Sequence, residues 1–153
     1  MSDLLRNNIQ KSTYYAELQD MLTFEQVLYE MISQVKSTDP WVVGANGVPS
    51  SFFTCLYKFM VMRLTERQIY NMVRPDQLYT GTEFIVARNN PFVRCAGLLY
   101  IRYLSPPDQL WARLNLFLME NDENNKFVYT SDQRITTIGE FVRNLLEDKQ
   151  FLG

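Results

Sequence analysis

The chain has 153 residues, 46% of them hydrophobic and 14% aromatic, with a formal net charge of −2. That is one ordinary domain's worth of chain, with enough apolar material to close a core without staples, which argues against intrinsic disorder. Charge is evenly divided, with seven Lys/Arg and eight Asp/Glu in residues 1–76 and eight and nine in residues 77–153, so the composition lacks the basic footprint that phosphate contacts leave.

Ser2 caps a short helix to Gln10 that turns Leu4, Leu5 and Ile9 inward. Ser12 and Thr13 cap a second, Tyr14–Met21. Thr23 with Gln26 makes a capping box, and Phe24, Val27, Leu28, Met31, Ile32 and Val35 recur at helical spacing. Pro40 pushes Asp39 out of the helical region and ends that element. Trp41–Ser51 is a loop in which Gly44 and Gly47 serve turns of positive φ; their spacing fits no phosphate-binding fingerprint. Ser50 or Ser51 starts a helix through Arg63, apolar nearly all round except at Lys58. Thr65 with Gln68 is a second capping box, opening a helix that Pro75 stops after Arg74. In Gln77–Arg88, TGT reads as a turn and EFIVA as either a short strand or a helical turn.

Asn90 at the N-cap and Pro91 at the first helical position open a helix to about Leu104. Between Phe92 and Leu104 only Arg94, Gly97 and Arg102 are neither apolar nor aromatic. A surface helix keeps a wide polar face, so this one is expected at the centre. Ser105 caps a further helix, with Pro106 in its first turn and Leu110, Trp111, Leu114, Phe117 and Leu118 as its stripe. Glu120–Asn125 reads as a solvated loop, and Lys126–Thr136 as a small hairpin around Ser131–Asp132. Thr137 with Glu140 is a third capping box, before a helix that faces Ile138, Phe141, Val142, Leu145 and Leu146 inward. The expected fold is all-α. It is one compact domain over residues 1–153, of six to eight helices, with room for a β-hairpin near 126–136. Phe52–Met62 and Phe92–Leu104 form its centre.

Chemistry is sparse. The chain has no histidine, which removes the commonest general base near neutral pH and every triad that relies on it. Cys55 and Cys95 each lie in an apolar helical run and are expected to be buried, reduced thiols; they supply no zinc-ligand set. The paired carboxylates Asp122/Glu123 and Glu147/Asp148 fall where solvation is expected, not in a cleft. No catalytic residue, metal site or cofactor is predicted, and the protein is read as non-enzymatic. MSDLLRNNIQ holds no secretory signal, and Cys95–Ile101, the longest apolar stretch, is far short of the ~20 residues that span a bilayer. A soluble, intracellular protein with no membrane partner is expected.

Arg94 and Arg102 are the odd residues of the central helix, about 80° apart around its axis. Each either pairs with a group on a neighbouring helix or snorkels to water; alternatively, their shared side meets an acidic or carbonyl-bearing partner. Trp41, Tyr103 and Trp111 read as core or rim. Trp, Tyr and Arg are also what binding hot spots favour, so Arg94, Arg102, Tyr103 and Trp111 are the candidate partner-binding residues.

Three stretches carry a family resemblance in order: PSSFFTCLYKFMVMRLTERQI (Pro49–Ile69), LLYIRYLSPPDQLW (Leu98–Trp111) and ITTIGEFVRNLL (Ile135–Leu146). A weaker one, YYAELQDMLTFEQVLYEM (Tyr14–Met31), precedes them. Together they resemble the pre-mRNA-splicing factor 38 family, closer to its B-type members. The resemblance implies a nuclear, non-enzymatic spliceosome component that acts with the tri-snRNP before catalytic activation. It also implies a helical scaffold on which other splicing proteins dock, through helical segments laid in surface grooves. RNA contact inside the assembly is compatible with this; tight RNA binding by the chain alone is not expected. The sequence departs from the family in having no arginine/serine-rich tail, a longer stretch before Asn90, and a shorter, less glycine-rich loop at Trp41–Ser51. Two other readings stay open: an RNA-contacting module with Arg63, Arg67, Arg74 and Arg88 on one face, and a helical adaptor outside splicing.

Overall fold

The computed structural model describes residues 1–74, 90–120, 126–128 and 134–147. Local hydrogen bonds start most of the helices where the sequence places them. Ser2 Oγ accepts from Leu5 N at 3.2 Å and opens α1, Asp3–Lys11. Ser12 Oγ accepts from Tyr15 N at 3.1 Å and opens α2, Thr13–Leu18. Capping boxes at Thr23/Gln26 and Thr65/Gln68 open α3, Phe24–Gln34, and α5, Glu66–Val73. Ser50 caps α4, Ser51–Met62. Asn90 Oδ1 accepts from both Phe92 N and Val93 N at the head of α6, Pro91–Leu104. Each such cap stabilises its helix by about 1 kcal/mol. At α8, Ile138–Glu147, Thr137 Oγ1 accepts from Glu140 N at 3.3 Å, and the Glu140 carboxylate takes the Thr136 hydroxyl at 3.1 Å.

Two layers of helices meet along α4 and α6. On one side α1, α2 and α3 pack on α4; on the other α5, α8 and α7, Leu110–Leu114, pack on α6, which also touches α3 and α4. Phe52, Phe53, Leu56 and Phe59 of α4 and Leu98 and Leu99 of α6 are wholly buried. The Phe24 and Phe59 rings lie 5.6 Å apart and tie α3 to α4. Lys58 is buried too, and its ammonium donates to Gln19 Oε1 at 2.9 Å. Gly97 lets α5 lie against the α6 backbone: a Cβ there would stand 2.6 Å from Val73 Cγ1 and 2.9 Å from Met72 Cβ. The turns at Gly44 and Gly47 take φ of 84° and 71°, as their sequence positions require, and Asn8 Nδ2 pins the second by donating to Gly47 O at 2.9 Å. Phe127–Val128 (β1) pairs antiparallel with Ile135–Thr136 (β2), Phe127 facing Thr136. The all-α expectation therefore holds, with eight α-helices among the described residues; of the expected hairpin, the described residues give this one short strand pair.

Several expectations need correction. Leu4 is 64% exposed, because Leu5 and Ile9, one turn apart, take the buried stripe and leave it about 100° away. Ser105 does not start a helix. Its N–H closes α6 on Ile101 O at 2.9 Å, and its hydroxyl accepts from Arg113. The Pro106–Pro107 corner yields a 3₁₀ turn, Pro107–Gln109, before α7, and a second, Asn115–Met119, follows. The change from α to 3₁₀ falls at Asn115, whose backbone N–H bonds Trp111 O while its Nδ2 donates to the carbonyls of Trp111 and Ala112, a local bond of the kind that competes with regular helix. Trp111 leaves the stripe and is 64% exposed, whereas Leu114 and Phe117 are buried. Glu120, 41% exposed just past the second 3₁₀ segment, is also the partner of Arg94. The expectations for Pro75, residues 77–88, Asp122/Glu123, the turn at Ser131–Asp132, and Asp148 lie outside the described residues.

Candidate docking surface

A hollow lies between α5 and the Leu110–Met119 segment. The capping box at Thr65 fixes where α5 begins. Its inner face, Ile69, Met72 and Val73, is buried; its outer edge carries Glu66, Tyr70 and Arg74. Across from it the double-proline corner aims α7 so that Leu114 and Phe117 enter the core while Arg113 and Leu116 turn toward α5. A hollow of about 180 Å³ remains. Its floor is Ile69, Val73, Ile101 and Phe117, and its rim is Glu66, Tyr70, Arg74, Arg113 and Leu116. Tyr70 and Leu116 are 44% and 55% exposed. Arg113 Nη1 donates to Ser105 Oγ at 2.6 Å, and Nη2 meets Glu66 Oε2 at 2.8 Å across the hollow. The Arg74 guanidinium sits 5.6 Å from the centre of the Tyr70 ring, a cation–π distance.

The four residues singled out from the sequence do not gather at this place. Arg94, whose side chain is 12% exposed, donates from Nε and Nη2 to the Val73 carbonyl at 3.2 and 3.1 Å and meets Glu120 Oε2 at 2.5 Å. Arg102 Nε donates to Leu145 O of α8 at 2.9 Å. Trp111 stands open on α7. Tyr103 Oη is buried and has no hydrogen-bond partner among the described residues. Burial pushes its phenol up to about 12, with the Arg102 charge working the other way. A raised folded pKa means the neutral form is the one the fold favours. That contribution is complete below the ordinary value of 10 and is lost as pH rises through about 12. At neutral pH the orphaned hydroxyl is a net cost, so Tyr103→Phe is expected to stabilise the protein by about 1 kcal/mol. A thermal melt would rise by roughly 2–4 °C; a fall would show that the hydroxyl has a partner that stabilises it.

The thiols are sealed. Cys55 and Cys95 are both free and buried; burial raises Cys55 to about 12 and Cys95 well above its ordinary value. Tyr14 donates its hydroxyl to Glu30 Oε1 at 2.9 Å and lies 3.8 Å from Cys55 Sγ. Among the described residues no cluster of His, Cys, Asp and Glu could hold a metal ion, and no helix is long and apolar enough to cross a membrane. Sequence reasoning did not single out the groove. Arg113 and Leu116 fall off the apolar stripe of their helix, which was the available signal.

Fold and surface together define a helical scaffold with an apolar groove at one edge. The chain belongs to the PRP38 family, whose profile matches residues 1–153. It is 31% identical to pre-mRNA splicing factor SR-like 1 of Arabidopsis thaliana, over 95% of this chain and 33% of that protein. It is 28% identical to human pre-mRNA-splicing factor 38B, over 95% of this chain and 28% of that protein. The chain thus spans about a third of the length of the curated relatives it matches. A chain in the crystal structure of the Snu23–Prp38–MFAP1(217–258) complex of Chaetomium thermophilum has the same fold. Its TM-score is 0.74 at 19% identity, over 96% of this chain and 70% of that one.

Proposed function

We propose that this chain is a non-enzymatic component of the spliceosome, a nuclear docking platform that works with the tri-snRNP before catalytic activation. The observation that carries the reading is the family match along all 153 residues, with relatives named as splicing factors. The fold neighbour comes from a complex with other splicing proteins, which supports partners of that kind. Residues 1–153 act as one domain in this reading. Other proteins lay helical segments against it, Trp111 offers open contact surface, and Arg94, Arg102 and Tyr103 hold the frame behind it. RNA contact, where it occurs, is made within the assembly.

Affinity purification from nuclear extract, followed by mass spectrometry and RNA identification, tests the proposal. Spliceosomal proteins and small nuclear RNAs are the expected recovery. A bait that recovers neither ends this reading. If the purified chain instead binds RNA directly with a steep salt dependence, phosphate contacts and not protein docking are its work.

A further inference from the structure

Resting on the docking-platform reading, we propose that the hollow between α5 and α7 receives one bulky apolar side chain from an acidic segment of another protein, whose carboxylate displaces Glu66 from Arg113. Size is the first argument. Ligand sites for whole small molecules begin at roughly 300 Å³, whereas a dry apolar cavity of about 150 Å³ holds a benzene ring. At about 180 Å³ the hollow fits a single Phe, Leu or Met side chain over Ile69, Val73, Ile101 and Phe117. Tyr70 and Leu116, half exposed at the rim, add the apolar walls such an anchor needs.

Charge is the second argument, and it selects the partner. The Arg113 guanidinium reaches across the hollow, and the carboxylate it holds there is Glu66. Arg113 is held from behind by Ser105 Oγ and keeps its direction whatever sits in front. The Glu66 side chain is 80% exposed, and an ion pair so open to water holds weakly. A carboxylate that arrives inside a closing interface sheds more solvent and gains more from the same guanidinium. Glu66 is therefore a placeholder, exchanged at little cost for a partner's Asp or Glu. A basic segment would bring a like charge against Arg113 instead.

Random 12-residue peptides displayed on phage and selected on the whole chain supply the probe. The enriched peptides are then synthesised and titrated by fluorescence anisotropy. Bulky apolar residues flanked by Asp or Glu are expected. Leu116→Glu and Arg113→Gln should each weaken binding on the order of tenfold, and Glu66→Gln should tighten it by about threefold by removing the competitor. Leu116→Ala, at an exposed site, serves as the milder variant should Leu116→Glu melt early. The proposal is overturned by peptides enriched in Lys or Arg, or by no enrichment. It is equally overturned by peptides that bind Leu116→Glu and Leu116→Ala as well as the parent, by weaker binding to Glu66→Gln, or by a U12 RNA that competes them off. An extract purification with Leu116→Glu bait that still recovers spliceosomal proteins, beside peptides indifferent to Leu116, leaves the platform standing and removes only this groove from it.

Discussion

Gly97→Ala is expected to destabilise the protein by about 2–3 kcal/mol, although alanine is the better helix former by ~1 kcal/mol. The added methyl would lie 2.6 Å from Val73 Cγ1 and 2.9 Å from Met72 Cβ. Neither neighbour gives way easily. Val73 is β-branched and held to one rotamer in a helix, and a Cβ moves only with its backbone. Relief therefore means shifting α5 as a body, which loosens Ile69, Met72 and Val73 at once. The melting temperature should fall by roughly 4–12 °C. Adding Val73→Ala removes the shorter clash but leaves the contact with Met72, so the double variant should recover only part of the loss in a double-mutant cycle. A Gly97→Ala protein as stable as the parent would mean that α5 does not press on α6 as described.

Arg94→Ala is the second large effect, again about 2–3 kcal/mol. Arg94 satisfies the Val73 carbonyl, one of the last of α5, with two N–H groups, and helix-end carbonyls have no partner of their own. Glu120 is the lesser loss, because its side chain is 41% exposed and water can take over. The expected order in urea melts is therefore Arg94→Ala worst, Arg94→Lys intermediate and Glu120→Gln mildest. Lysine keeps the charge but lacks the planar fork that reaches carbonyl and carboxylate together. Equal losses for Arg94→Ala and Glu120→Gln would put the ion pair, not the carbonyl, in charge.

These two sites mark where sequence reading stops. Caps at Ser2, Ser12, Thr23, Ser50, Thr65 and Asn90 are legible because donor and acceptor lie two or three residues apart. The stripe from Phe24 to Val35 is legible because one period describes it. Ser105 looks like one more cap, yet its hydroxyl answers Arg113, eight residues on. Trp111 looks like stripe until α gives way to 3₁₀ at Asn115 and the register shifts. Gly97 carries no pattern at all, since its meaning lies in Met72 and Val73 on another helix. The sequence raised internal partners for Arg94 and Arg102 as one alternative, and the interior carbonyls of Val73 and Leu145 accept from them. The groove at Tyr70 and Leu116 escapes a linear reading because its two walls come from segments more than forty positions apart.

The sealed sulfurs make the molecule its own stopwatch. Cys55 belongs to the layer built on α4 and Cys95 to the layer built on α6, both fully shielded and protonated. An alkylating reagent can touch either atom only after the surrounding layer has briefly come apart, so the two labelling rates time the two layers separately. A molecule bound so as to steady one edge of the fold would slow one clock and leave the other running.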